Sequence, residues 1–156
     1  MQAFAAKGYN TLAFDQRGFS PDASPYDEKE YNYDYLVNDI FAIANTYFGK
    51  DSKFHVVAHD QGARVAWHAI ALGTARRRYL SYSPLSIPHS NVFADELYSE
   101  HPEPGQQESF MYLWSVTLPG NNTLAYNKNI WNTICKDAHH YDTPESCQPS
   151  IWWYGG

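Results

Sequence analysis

No stretch of this chain approaches the ~20 consecutive apolar residues that a membrane-spanning helix requires, so the sequence predicts no membrane span. Basic residues are scarce as well. Eleven Lys and Arg face seventeen Asp and Glu, for a net charge of −6. Without a basic stripe the chain has nothing to neutralise phosphates with, which excludes nucleic acid as a partner. The one basic run, Arg76-Arg77-Arg78, reads as the cap of a preceding helix and a solvated loop. Cysteine is rare too. Cys135 and Cys147 lie twelve residues apart in a polar stretch. They permit one disulfide, but they read as free thiols of a cytoplasmic protein, because Met1 to Lys7 is too short for a secretory leader. Secretion is the alternative if a leader lies upstream, and only then does the sequon Asn121-Asn122-Thr123 gain meaning. The sequence implies no metal and no cofactor, and it leaves the oligomeric state open.

Aromatic side chains, at 17% of the 156 residues, are abundant, and many fall after residue 109. That clustering points to an apolar pocket with polar tips, suited to a small apolar molecule. The chain is 44% apolar, enough for one domain with a substantial core. Residues 3–7 read as the end of a helix closed by Gly8, and Thr11 to Phe14 as a short buried strand followed by a turn. From Tyr33 to Phe48, Leu36, Ile40, Ile43 and Tyr47 recur on one helical face, which Gly49 ends. A strand over 54–58, a helix from Gln61 to Leu72 stopped by Gly73, and a strand over 78–83 complete an alternating pattern. Such alternation at short spacing implies parallel strands with helical crossovers, the α/β class. After residue 90 the pattern turns helical, over 91–98 and 106–117. The expected organisation is a partial α/β core over 1–90 and a mostly helical lid insertion over 91–156.

The most informative stretch is Phe54-His55-Val56-Val57-Ala58-His59-Asp60-Gln61-Gly62. An apolar strand, read as buried on both sides, runs without a linker into a helix, with small residues two positions either side of Asp60. This is the layout of a nucleophile elbow, where a strained turn lifts one side chain above the sheet. A carboxylate in that position attacks carbon directly and forms an ester, which suits epoxide or alkyl-halide opening. The competing reading is an Asp that merely caps the helix. His59 reads as structural, and Asp15 with Arg17 as a loop-fixing pair.

On these residues the chain resembles the Asp-nucleophile branch of the α/β-hydrolase fold, soluble epoxide hydrolases in particular. Their elbow is similar to 58–62, their preceding strand and loop to 8–18, and their entry into the lid to Leu85-Ser86-Ile87-Pro88-His89. The likeness covers nearly the whole chain, strongest over 8–20 and 54–67 and loosest over 121–150. It implies two lid tyrosines that hold and protonate the epoxide oxygen. Tyr112, seven residues before Pro119-Gly120, matches the first, and Tyr154 in Trp153-Tyr154 the second. It further implies that the Gln61 backbone N–H supplies half of an oxyanion hole.

The same resemblance implies a His-Gly-x-Pro segment, a charge-relay acid and a base histidine, none of which this sequence contains. His139 and His140 fall in the lid stretch and read as surface residues. The chain therefore looks like a fragment of a hydrolase, at least two strands short in front and two behind, with impaired turnover. Two rivals stand beside epoxide opening. One is C–halogen cleavage by the same Asp, disfavoured by Gln61 where dehalogenases present an indole N–H. The other is a non-catalytic fragment that binds apolar ligands or partners in an open groove.

Overall fold

The computed structural model describes residues 1–100, 103, 105–110 and 143–154. Its elements are α1 (Gln2–Ala5), α2 (Tyr33–Phe48), β1 (Phe54–His59), α3 (Gln61–Ala71), β2 (Tyr79–Leu85), α4 (Ser90–Tyr98) and α5 (Pro144–Ile151), with short 3-10 turns between them. The expected α/β alternation is present. β1 and β2 pair in parallel, Val56 opposite Tyr82 and Ala58 opposite Pro84, and α3 crosses between them.

Local chemistry accounts for the helix limits. Asn32 caps α2 by accepting a hydrogen bond from the Tyr35 N–H, and Gly49 ends it at φ +90°. Gly73, at φ +76°, closes the turn after α3. Thr143 and Ser146 cap the start of α5 reciprocally, with Pro144 in its first turn.

The core gathers Tyr31, Leu36, Val37, Val65, Ala69 and Ala75 with Trp152 and Trp153. The expected stripe on α2 is rotated. Leu36 is buried and Ile40 packs against the core, but Val37 and Ala44 complete the buried face and Tyr47 is 67% exposed. The rotation follows from what the helix meets: Leu36 and Val37 join Val65 and Ala69 of α3 in one buried cluster. The aromatic end of the sequence, Trp152-Trp153, thus lies in the same cluster as α2 and α3.

Four expectations are corrected. Thr11 to Phe14 forms no strand. A strand exists only by pairing, and β1 pairs with β2 alone among the described residues. β1 is covered on one face rather than two. Val56 and Ala58 turn inward, while His55, Val57 and His59 are exposed. Cys147 is buried and disulfide-bonded, not a free thiol; Cys135 lies outside the described residues. The basic run is only partly solvated: Arg76 and Arg77 are exposed, but Arg78 packs over the Phe41 and Phe54 rings and donates to the Ser52 carbonyl at 2.6 Å.

Helix continues past residue 90 as expected, in α4, at 106–110 and in α5; residues 111–117 lie outside the described set. No helix among the described residues is long and apolar enough to cross a membrane.

Burial pushes the Tyr79 phenol up to about 12, and its hydroxyl has no hydrogen-bond partner among the described residues. A phenol whose folded value lies above its unfolded one, ~10, contributes stability that is complete below that unfolded value. That contribution is lost as pH rises through the folded value. The midpoint of chemical denaturation is therefore expected to fall between pH 10 and pH 12. Tyr79→Phe should flatten that fall.

Candidate active site

β1 delivers the chain to Asp60 at the carboxyl end of the sheet, and α3 begins one residue later. Asp60 sits at φ +52°, ψ −127°. That region is sparsely populated for any residue with a Cβ, and occupying it costs about 1–3 kcal/mol. The turn is fastened on both sides. The Asp60 N–H donates to the Leu85 carbonyl at 3.3 Å, and its own carbonyl accepts from the Ala63 and Arg64 N–H groups at 2.9 and 3.2 Å. A helix-capping Asp would show extended backbone and a side chain bonded to the first turn. Asp60 has neither feature, so the capping alternative fails and an exposed carboxylate stands on a strained turn.

Gln61 opens α3, and no backbone acceptor among the described residues takes its N–H. Together with the helix dipole, that leaves a donor aimed outward at the start of the helix. The Gln61 side chain is turned along the helix, where its Oε1 accepts from Arg64 at 3.4 Å. The Tyr82 hydroxyl donates to the Ala63 carbonyl at 2.8 Å and pins this first turn against β2. Burial, and then the neighbouring Tyr79, push the Tyr82 phenol above its ordinary range, so it remains a donor.

The need for a small residue at 62 is softer than expected. A Cβ on Gly62 would stand 3.3 Å from the Gln16 side-chain nitrogen, a contact with a movable amide rather than with backbone. Past β2, Ser86 adopts φ +64° and the chain turns into α4. A cleft of about 310 Å³ opens there, lined by Pro88, Val92, Phe93 and Phe110 together with the polar Ser86, Glu96 and Gln106.

On the other side of the elbow, the Gln16-Arg17-Gly18 loop is tightly held. Arg17 does not pair with Asp15 as expected. Its Nε and Nη2 grip both oxygens of Asp39 at 2.8 Å each, and Nη1 reaches Glu30 Oε2 at 3.0 Å. These partners, Asp39 first, raise the guanidinium pKa further. Trp153, 1% exposed, donates its indole N–H to the Arg17 carbonyl at 2.6 Å. Gly18 lies so close that a Cβ there would stand 2.8 Å from the Tyr31 ring and 3.0 Å from the Pro149 backbone. Local sequence could not show the Arg17 pairing, because Asp39 is twenty-two residues away; the surplus of aromatics near the C-terminus was the one visible sign of the tryptophan contact.

Of the expected site residues, Asp60 and Gln61 therefore stand together at the elbow. Tyr112 lies outside the described residues, as do His139 and His140. The backbone of Tyr154 ends the 3-10 turn that carries Trp153, and its side chain is not among those described. His59 is exposed at the end of β1. One His–carboxylate pair went unanticipated: His68 Nε2 stands 3.2 Å from Asp34 Oδ1. It lies seven residues along α3 from Gln61, about 10 Å by helical rise, and faces α2. It is not placed to act at Asp60. Among the described residues no group of His, Cys, Asp and Glu could hold a metal ion.

A parallel βαβ unit with an acid on a strained strand-to-helix turn is the architecture of a hydrolase core. The family model of the alpha/beta hydrolase family matches residues 1–149, and the chain belongs to that family. Among curated proteins it is similar to the AB hydrolase superfamily protein YfhM of Bacillus subtilis, 31% identical over 140 residues, covering 88% of this chain and 46% of the relative. An epoxide hydrolase of Caballeronia sordidicola is 27% identical over 133 residues, covering 77% and 39%. Epoxide hydrolase B of Mycobacterium tuberculosis is 40% identical over 65 residues, covering 42% and 18%. The chain thus spans less than half the length of each of these relatives. No solved structure matches it.

Proposed function

We propose that this chain carries the nucleophilic half of an epoxide-opening site. An Asp60 carboxylate oxygen bonds to an epoxide carbon as the ring C–O bond breaks. The departing oxygen takes a proton from Tyr112 or Tyr154, and the resulting phenolate recovers one from water. The product is a hydroxyalkyl ester on Asp60. In its hydrolysis, the Gln61 N–H would stabilise the oxyanion. The observation that carries this reading is the Asp60 backbone: strain of this kind, with the carboxylate left uncapped, serves no evident structural end. The epoxide hydrolases among the similar proteins support the same substrate class, and the cleft beside Ser86 offers mainly apolar walls to a small molecule.

No His–carboxylate pair stands beside Asp60 among the described residues, so the ester should form once and persist. Incubating the 156-residue chain with an aryl epoxide should add one probe mass per molecule, located on the peptide that contains Asp60. Asp60→Asn should carry no adduct. An unmodified Asp60 in the parent chain, or sustained diol release over many turnovers, would overturn this account. As to compartment, the disulfide at Cys147 favours an oxidising environment over the cytoplasm.

A further inference from the structure

One short loop touches both halves of the proposed site. On one side, Gln16 lies against Gly62, two residues beyond Asp60. On the other, the Arg17 carbonyl accepts the Trp153 indole N–H at 2.6 Å, and the residue next to Trp153 in the same turn is Tyr154. The loop between these contacts is rigid, because the planar Arg17 guanidinium is clamped by both oxygens of Asp39 and by Glu30. Close packing of Gly18 on the Pro149 backbone, possible only without a Cβ, adds a second point of attachment to α5. The elbow and the tyrosine-bearing turn are more than ninety residues apart in sequence, yet each rests on this loop.

We propose that Arg17 and Trp153 are positioning residues that set where Tyr154 stands relative to Asp60. The inference rests on the epoxide-opening reading above. Proton delivery to a departing alkoxide is steep in distance, and a misplacement of about 1 Å is enough to cost roughly 100-fold. A bromide leaving group needs no proton, so attack of Asp60 on an alkyl bromide does not depend on where Tyr154 stands.

The test compares ester formation on Asp60 by an epoxide and by an alkyl bromide of the same carbon skeleton, followed by intact mass. Trp153→Phe keeps a ring in the core but removes the donor to Arg17. It is expected to slow epoxide adduct formation about 10-fold while leaving bromide adduct formation within about twofold. Arg17→Lys keeps the charge, loses the two-pronged grip and leaves Trp153 in place; it should shift the same ratio in the same direction, and it decides the question if Trp153→Phe does not fold. Added to Tyr154→Phe, Trp153→Phe should slow the epoxide reaction no further, since the residue it positions no longer donates. Equal slowing with both probes would mark the contact as merely structural, and an unchanged ratio would remove the role; either outcome overturns the inference. If the parent chain forms no Asp60 adduct with the epoxide, the functional reading itself falls, and this inference falls with it.

Discussion

Trp153→Ala is expected to destabilise the chain by about 3–5 kcal/mol, the range for removing a buried aromatic side chain. Three losses combine. The indole is 1% exposed, so its removal leaves a cavity in the cluster shared by α2 and α3. The edge-on contact with Phe19, centroids 5.6 Å apart, disappears. The Arg17 carbonyl loses the donor that satisfies it at 2.6 Å. Against a total stability of about 5–15 kcal/mol for an ordinary domain, a loss of this size should shift the urea midpoint far outside error. Tyr47→Ala, at a side chain 67% exposed, is the matched control and should change it little. A Trp153→Ala midpoint as small in displacement as the control's would show that the C-terminal tryptophans are not part of the core.

Much of the fold was legible because the deciding interactions are local. Asn32 and Gly49 bracket α2 within a residue of where the apolar period begins and ends, and Gly73 halts the chain after α3 for the same conformational reason. The strand-to-helix turn at Asp60 was legible because an apolar strand runs without a linker into a helix pattern, so the turn between them has to be sharp. The failures share a different cause. Thr11 to Phe14 has strand composition, but composition supplies no hydrogen-bonding neighbour, and β1 turns its ladder toward β2. The α2 face was misjudged at Tyr47 because the direction of burial is set by what the helix packs on, α3 and the core cluster it shares, and periodicity within α2 does not show where that partner lies. Arg17 looked like the partner of the nearest acid, Asp15, whereas a guanidinium seeks a carboxylate with both oxygens presented side by side, which Asp39 provides from α2. Cys147 could be read as a thiol or as half of a disulfide from spacing alone. Its burial against Ser150 and its bonded state emerge only in three dimensions.

Replacing both Tyr112 and Tyr154 with Phe is expected to slow epoxide ester formation on Asp60 by about 100- to 10,000-fold, the usual worth of positioned acid catalysis. The size follows from the leaving group. Ring opening develops charge on an alkoxide, a far stronger base than phenolate, so a tyrosine with an ordinary value near ~10 can bond the oxygen and surrender its proton as the C–O bond stretches. Phe keeps the ring and removes only the hydroxyl. Each single variant should retain part of the rate, because one phenol can still donate. With an alkyl bromide of the same skeleton the double variant should react at close to the parent rate, since bromide departs unprotonated. That pair of results separates the two enzymatic readings of the same carboxylate. If the bromide reacts faster than the epoxide in the parent chain and neither responds to loss of the tyrosines, Asp60 belongs to a C–halogen hydrolase. If neither probe modifies Asp60 while the chain remains folded, the elbow is a relic and the open groove is left as a binding surface. A large, epoxide-selective loss would make the tyrosines the specificity device and Asp60 the nucleophile they serve.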